Sequence, residues 1–276
     1  MPTNPPLTIL IVGGGLGGLG AAIATTLAGH TTTVLEATST LSEVGAGIQI
    51  LPNATKILTA WGLRDALLQH ATLPSRVNMI GWKGDHITHM NFAEHAEKYG
   101  SPFWDFHRAS LQMCLLERAR ELGVKVVTNA RVDNVVFGEV GGQAEVVLHD
   151  GRRLSADLVV AADGINSRMR ECLVGKPDPP TPTGDLAYRL LLKTTDMMRD
   201  PELRGFVTDP QVNYWLGPDC HAGKTFLFLF FFLEEQLAGV NVGGSFVSQL
   251  CIEGRQTVQH GVARAGRHPR WRRDHH

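Results

Sequence analysis

The chain has 276 residues, 43% of them apolar, with 30 glycines and only 19% charged side chains. That is too apolar for a disordered chain and long enough for one large domain or two small ones. A formal net charge of -1 leaves no electrostatic footprint for a nucleic-acid partner, and four scattered cysteines (114, 172, 220, 251) without a CxxC pair fit a reduced, cytoplasmic setting.

Residues 7–12 (LTILIV) read as a strand buried on both faces, since nearly every position is apolar. Glycines follow at once, then a helix over 19–27 ending at Gly29, then a β-branched strand over 31–35 that stops at Glu36. Together they make a βαβ unit. The stretch 7–29 carries no charge, which raises the possibility of a membrane anchor. It has no basic segment before it and is interrupted by regularly spaced glycines, so no membrane association is expected.

Further along, residues 43–53 read as a glycine-containing loop and short strand, followed by a helix from Asn53 toward Trp61. Residues 76–106 read as short strands with a turn at Gly84-Asp85. Leu111, Leu115, Ala119 and Leu122 recur at helical spacing and predict a helix over 108–122. Strands are expected over 124–127, 132–137, 145–148, 153–155 and 157–162, with Asp150-Gly151 as a hairpin turn. The proline-rich 176–182 (KPDPPTP) marks a linker, and strands are expected beyond it over 185–193, 211–216 and 225–233. From Ile252 the chain loses periodicity and carries six arginines against two carboxylates, so 251–276 reads as a disordered basic tail.

The chemistry concentrates at Gly13-Gly14-Gly15-Leu16-Gly17-Gly18, which satisfies GxGxxG at 13, 15 and 18. The first glycine permits the tight turn after the strand, the second admits a pyrophosphate close to the backbone, and the third lets the helix pack on the sheet. The helix N-terminus then offers unpaired N–H groups to the phosphates. Glu36 ends the second strand, where a carboxylate accepts hydrogen bonds from ribose hydroxyls and disfavours a 2′-phosphate. This much points to a dinucleotide and does not separate FAD from NAD. No HExxH, Walker loop, GxSxG or Cys/His cluster occurs, so no metal is expected.

Three further segments decide between the cofactors: Glu43-Val-Gly-Ala-Gly-Ile-Gln-Ile-Leu-Pro-Asn53, His107-Arg108, and Asp157-Leu-Val-Val-Ala-Ala-Asp-Gly-Ile-Asn-Ser-Arg168. In order and spacing they resemble the group A flavin-dependent aromatic hydroxylases, in particular the fungal salicylate hydroxylase-like monooxygenases. The likeness runs from residue 7 to about 221. It takes in Gly184-Asp-Leu-Ala-Tyr-Arg189 and Asn213-Tyr-Trp-Leu-Gly-Pro-Asp-Cys-His221, which look like segments of that family's substrate domain. The resemblance implies FAD as cofactor, NADH or NADPH as reductant, and O2 and a small aromatic compound as substrates.

By the same resemblance, Gly13, Gly15, Gly18 and Glu36 hold the ADP half of FAD, and Gly47 and Gln49 pass near the ribityl chain and flavin. Arg108 contacts the cofactor; a solvated surface arginine is its competing reading. Asp163 and Gly164 form the family's DG motif, with a plain strand-end turn as the alternative. Arg189 orients or acts on substrate, or is an ion-paired strand residue. His221 lies near substrate, or is an ordinary loop histidine.

The family also carries a second FAD motif, Gly-Asp-Ala-Ala-His-Pro, which is missing here, and the likeness stops at about Lys224. The expectation is therefore a C-terminally truncated α/β protein. Its Rossmann-like FAD-binding domain would span 1–182, with 76–99 partly on the substrate side, followed by an incomplete β-rich substrate domain over 183–250. The alternative is a non-catalytic FAD- or nucleotide-binding remnant; a true NAD-dependent dehydrogenase is disfavoured by the DG segment and Arg108.

Overall fold

The computed structural model describes residues 5–41, 47–139, 142–183, 186–218, 220–228 and 244–252, with the backbone alone at 186–191, 224–228 and 244–252. In chain order the first elements are β1 (Thr8–Val12), α1 (Leu16–Leu27), β2 (Thr31–Leu35), β3 (Gly47–Ile50), α2 (Pro52–Ala60) and α3 (Arg64–Leu68). Then come β4 (Arg76–Gly81), β5 (His86–Asn91), α4 (Phe92–Tyr99), β6 (Trp104–His107) and α5 (Arg108–Glu121). The strands β7 (Lys125–Val127), β8 (Val132–Val136), β9 (Ala144–Leu148), β10 (Arg153–Ala156) and β11 (Leu158–Ala161) precede α6 (Arg168–Val174). Last are β12 (Leu186–Lys193), α7 (Thr194–Arg199), α8 (Pro201–Thr208), β13 (Val212–Gly217), β14 (Cys220–Phe228) and β15 (Gly244–Ile252).

A parallel sheet in the order β11-β1-β2-β7 forms the base. Strand β1 shows why its sequence is apolar without alternation. Ile9 and Ile11 face Leu19 and Ile23 of α1 and Leu111 and Leu115 of α5. Leu10 and Val12 face the other way, onto Val132, Val146 and Met169. A strand with helices on one side and a second β-layer on the other buries both faces. That second layer is the antiparallel sheet β10-β9-β8, closed by the predicted turn at Gly151, whose φ is +84°.

The third sheet has the order β12-β15-β14-β13-β4-β5 and is antiparallel except where β13 runs parallel to β4. A two-stranded ribbon, β3-β6, places Gly47 opposite His107 and Gln49 opposite Asp105. It reaches the large sheet through the Tyr214 hydroxyl, which donates to Gln49 Oε1 at 3.2 Å.

Several sequence expectations need correction. Helix α1 begins at Leu16, three residues before the expected start, because the glycines of the turn enter the helix. Residues 92–99, expected to be extended, are helical. Asn91 caps that helix by accepting from the N–H groups of Ala93 and Glu94, its amide donates back to Glu94 Oε1, and Gly100 ends the helix at φ +65°. Phe92 then stacks on Phe103 with centroids 4.1 Å apart, which fixes the helix start against the chain that follows it. Helices α3, α6, α7 and α8 were not anticipated either; Ser167 caps α6, and Asp200 followed by Pro201 starts α8.

Strand β14 starts at Cys220, earlier than expected, and residues 229–233 of the expected strand lie outside the described residues. Cys251 and Ile252, assigned to the basic tail, belong to β15, which gains backbone partners on both sides from β12 and β14. The rest of the tail, 253–276, lies outside the described residues.

Candidate cofactor site

The three motif glycines do three different things. Gly13 turns the chain at φ +108°, and a side chain there would put its Cβ 2.3 Å from the Ala162 carbonyl oxygen. At Gly18 a Cβ would lie 1.9 Å from the Gly13 carbonyl oxygen, so this glycine seats α1 against the turn. Gly15 differs: it caps α1, its backbone (φ -72°, ψ -177°) suits any residue, and a Cβ there would meet nothing within 4 Å. Packing does not require glycine at that position, and the open space in front of it is part of a cleft. The α1 terminus has no side-chain cap and no acidic residue in its first turn, so its dipole and N–H groups face the same space.

That cleft has a volume of about 690 Å³. It is lined by Gly13, Gly15, Glu36, Arg108, Asp163 and Gly164, which brings together six of the sequence-derived candidates. Gly18 stands just behind it. Arg131 and Arg168 also line it, Arg168 being ion-paired with Glu171 at 2.6 Å. The uncapped N–H groups of the α1 terminus suit a diphosphate.

Glu36 is held by the protein on both oxygens. Its Oε2 accepts from the Gly14 N–H at 2.8 Å, and its Oε1 accepts from the Thr38 N–H and hydroxyl at 2.8 and 3.0 Å. Partial burial works to raise its pKa, but the hydrogen bonds from Thr38 and Gly14 outweigh it and the net direction is downward. The carboxylate is thus fixed in place as an anion, with a further lone pair on Oε2 for a hydroxyl donor. The Gly14 carbonyl in turn accepts from the buried Gln112 side chain at 3.1 Å, so α5 supports the turn from below.

The Asp163 carboxylate is engaged on both oxygens within the chain. It accepts from the Ser167 hydroxyl at 2.6 Å and from the Met169 N–H at 3.0 Å, tying the strand end to the start of α6. Gly164, at φ +83°, completes the turn. The expected DG turn therefore shapes the cleft wall with its backbone.

Gly47 and Gln49 lie on the β3-β6 ribbon and are not among the cleft-lining residues. Arg189 sits on β12 opposite Gln249 of β15, and half-buried His221 sits on β14 between Leu216 and Cys251. Strand β15 separates their strands, and His221 is not among the cleft-lining residues. Arg131, Arg168 and Gln112 were missed in the sequence; only the Asn-Ser-Arg that follows Asp163-Gly164 offered a local signal, for Arg168. Among the described residues no group of three or more His, Cys, Asp or Glu is placed to hold a metal, and no helix is long and apolar enough to cross a membrane.

Comparison with known proteins agrees with this geometry. The family profile described as FAD binding domain matches residues 7–226. The chain belongs to the FAD binding domain family. It is 43% identical over 225 residues to the FAD-dependent monooxygenase OpS4 of Beauveria bassiana (strain ARSEF 2860), covering 79% of this chain and 51% of that protein. It is 34% identical over 216 residues to 3-hydroxybenzoate 6-hydroxylase 1 of Aquipseudomonas alcaligenes, covering 77% and 52%. The crystal structure of FqzB is similar with a TM-score of 0.73 at 25% identity, over 95% of this chain and 57% of that one. The chain thus spans about half the length of the curated relatives it matches. The cleft of this FAD binding domain chain fits the adenosine diphosphate half of FAD: an open face at Gly15, donors at the α1 terminus and a fixed carboxylate at Glu36.

Proposed function

We propose that the chain is the cofactor-holding part of an FAD-dependent monooxygenase that hydroxylates a small aromatic acid of the salicylate or hydroxybenzoate type. The observation that carries this reading is the cleft at Gly15, where a position free of packing demands is nonetheless glycine beside an uncapped helix terminus. Bound FAD would supply the redox chemistry, accepting electrons from NADH or NADPH and passing them to O2 for ring hydroxylation.

The protein's own residues hold and orient. Glu36 accepts from the ribose, the α1 terminus and Gly15 admit the diphosphate, and Arg108 lines the same cleft. Gly47 and Gln49, on the ribbon facing the large sheet, are assigned to the flavin side, and the Tyr214–Gln49 hydrogen bond supports placing that ribbon at the boundary. On this reading residues 1–182 form the FAD side, with 76–99 shared, and the six-stranded sheet forms the substrate side. Arg189 is assigned to orienting a substrate carboxylate or phenolate, with His221 as a second polar group on that sheet. The similarity to 3-hydroxybenzoate 6-hydroxylase 1 supports an aromatic acid as substrate. The cytoplasm, where NAD(P)H is supplied, is the matching location.

The test is NAD(P)H oxidation by the purified chain with FAD, with and without salicylate or 3-hydroxybenzoate, followed by mass analysis of the aromatic product. A ring-hydroxylated product that depends on FAD supports the proposal, and its absence with FAD demonstrably bound contradicts it. That second outcome matches the competing reading of a non-catalytic FAD-binding chain.

A further inference from the structure

The segment 176–182 (KPDPPTP) carries four prolines and leads to β12, an outer strand of the six-stranded sheet. Proline has no N–H to donate, so such a segment cannot be held by a sheet or helix ladder. It is held at Asp178, which is half-buried while Lys176, Pro177, Pro179 and Pro180 are exposed. Helix α6 engages the carboxylate, the carbonyl and the N–H of that one residue. Arg170 Nε donates to Asp178 Oδ2 at 2.5 Å and Arg170 Nη2 to the Asp178 carbonyl at 2.6 Å. The Asp178 N–H donates to Glu171 Oε1 at 3.2 Å.

The same two side chains of α6 reach the cofactor cleft. Both Nη atoms of Arg170 donate to the Ile165 carbonyl at 3.3 Å, and the flanking Gly164 and Asn166 line the cleft. Glu171 Oε2 accepts from Arg168 Nη1 at 2.6 Å, and Arg168 lines the cleft as well. Arg168 Nε donates to the Asp133 carbonyl at 3.0 Å, which leaves its Nη2 to meet a ligand oxygen without releasing Glu171. Asp178 is thus joined to the cleft wall twice, through the backbone of the 163–166 loop and through Arg168. Gly164, Ile165 and Asn166 are exposed, so a ligand in the cleft restricts them. An acceptor already fixed at Ile165 reduces the ordering that the Arg170 bonds require. A stiff proline-rich segment then passes the constraint at Asp178 to the chain that follows.

We propose that Arg170 and Glu171 form a strap that couples ligand binding in the cleft to the seating of 176–182, the chain entering the six-stranded sheet. The proposal rests on reading the cleft as an FAD site and adds a positive coupling between that site and the segment. By reciprocity, FAD tightens the seated segment and the seated segment tightens FAD by the same factor. Arg170 is not among the cleft-lining residues and acts as a positioning residue.

The experiment measures amide hydrogen exchange across 176–183 and across 13–20 in the purified chain with and without FAD, together with FAD affinity and the melting temperature without ligand. Wild type is compared with Asp178→Ala, which removes the carboxylate and keeps the backbone, and with Arg170→Lys, which keeps the charge and loses the fork. FAD is expected to slow exchange in both segments of wild type, by about threefold across 176–183. Coupled sites usually show about fivefold or more, and the Arg170–Asp178 pair is partly exposed. In both variants the slowing is expected to vanish across 176–183 and to persist across 13–20, with FAD bound about threefold more weakly. Variants that melt lower but keep the wild-type slowing across 176–183 and the wild-type FAD affinity would overturn the inference, since the contacts would then be merely structural. Wild-type binding that slows exchange across 13–20 alone would also remove this inference and leave the cofactor reading standing. Slowing in neither segment removes both together.

Discussion

The contrast between Gly18 and Gly15 gives the sharpest test of the cleft geometry. In Gly18→Ala the new Cβ would lie 1.9 Å from the Gly13 carbonyl oxygen. Unstrained contacts of this kind sit beyond about 3 Å, so helix and turn must separate by about 1 Å. The obstacle is backbone and cannot rotate away. Overpacking of this severity costs about 3 kcal/mol, and alanine's better helix propensity returns about 1 kcal/mol. The net loss is about 2 kcal/mol, or roughly 4–8 °C in melting temperature for a chain of this size. Gly15→Ala meets no atom within 4 Å, so its melting temperature should stay within about 2 °C of wild type. Its methyl group projects into the cleft, however, and should weaken FAD binding by about tenfold or more. Thermal melts of the free proteins and FAD titrations separate the two effects. Equal destabilisation by both variants, or full FAD affinity in Gly15→Ala, would refute the assignment of Gly18 to packing and Gly15 to the ligand.

Three further predictions follow from other parts of the molecule. The Asp157 carboxylate accepts from the Thr8 hydroxyl, the Thr8 N–H and Gln143, and the Thr8 hydroxyl leads the causes that lower its pKa to about 2. Its contribution to stability is therefore complete above the unfolded value near pH 4 and is lost as pH falls toward 2. Urea midpoints measured from pH 7 to pH 2 should fall more steeply for wild type than for Asp157→Asn, and parallel curves would contradict the assignment. Burial raises the Cys114 thiol to about 11, so peptide mapping after thiol labelling of the folded chain at pH 8 should find Cys172 and Cys220 modified well before Cys114. Prompt labelling of Cys114 would show that α5 is not packed as described. If the chain turns over, Arg189→Ala should uncouple NAD(P)H oxidation from ring hydroxylation, and unchanged coupling would end its assignment to substrate.

The site was legible in the sequence wherever its logic is local. Strand, glycine turn, helix and carboxylate fall within 7–36, and each local preference agrees with the fold that forms. What sequence spacing did not show is how the turn is supported. Glu36 binds Gly14 as well as facing the cleft, Gln112 reaches Gly14 from a helix far along the chain, and Arg131 arrives because β7 lies beside β2. These are long-range consequences of sheet order, for which a single sequence carries no local signal. Helix α4 is a different kind of miss. Its capping residues Asn91, Glu94 and Gly100 were readable, but the segment 76–106 was read as a run of short strands, and the Phe92–Phe103 stack that seats the helix is a contact across eleven residues. The six-stranded sheet joins β4 to β13 across more than a hundred residues, which local pattern does not reveal.

The central claim is that this chain folds a cofactor cleft able to hold FAD. The measurement that tests it most directly is a titration of the purified chain with FAD, following flavin fluorescence and visible absorption, with gel filtration of the mixture. The account predicts quenched fluorescence, a perturbed flavin spectrum and yellow protein that keeps its cofactor through the column, with Gly15→Ala markedly weaker. Colourless protein that leaves FAD fluorescence unchanged would contradict it.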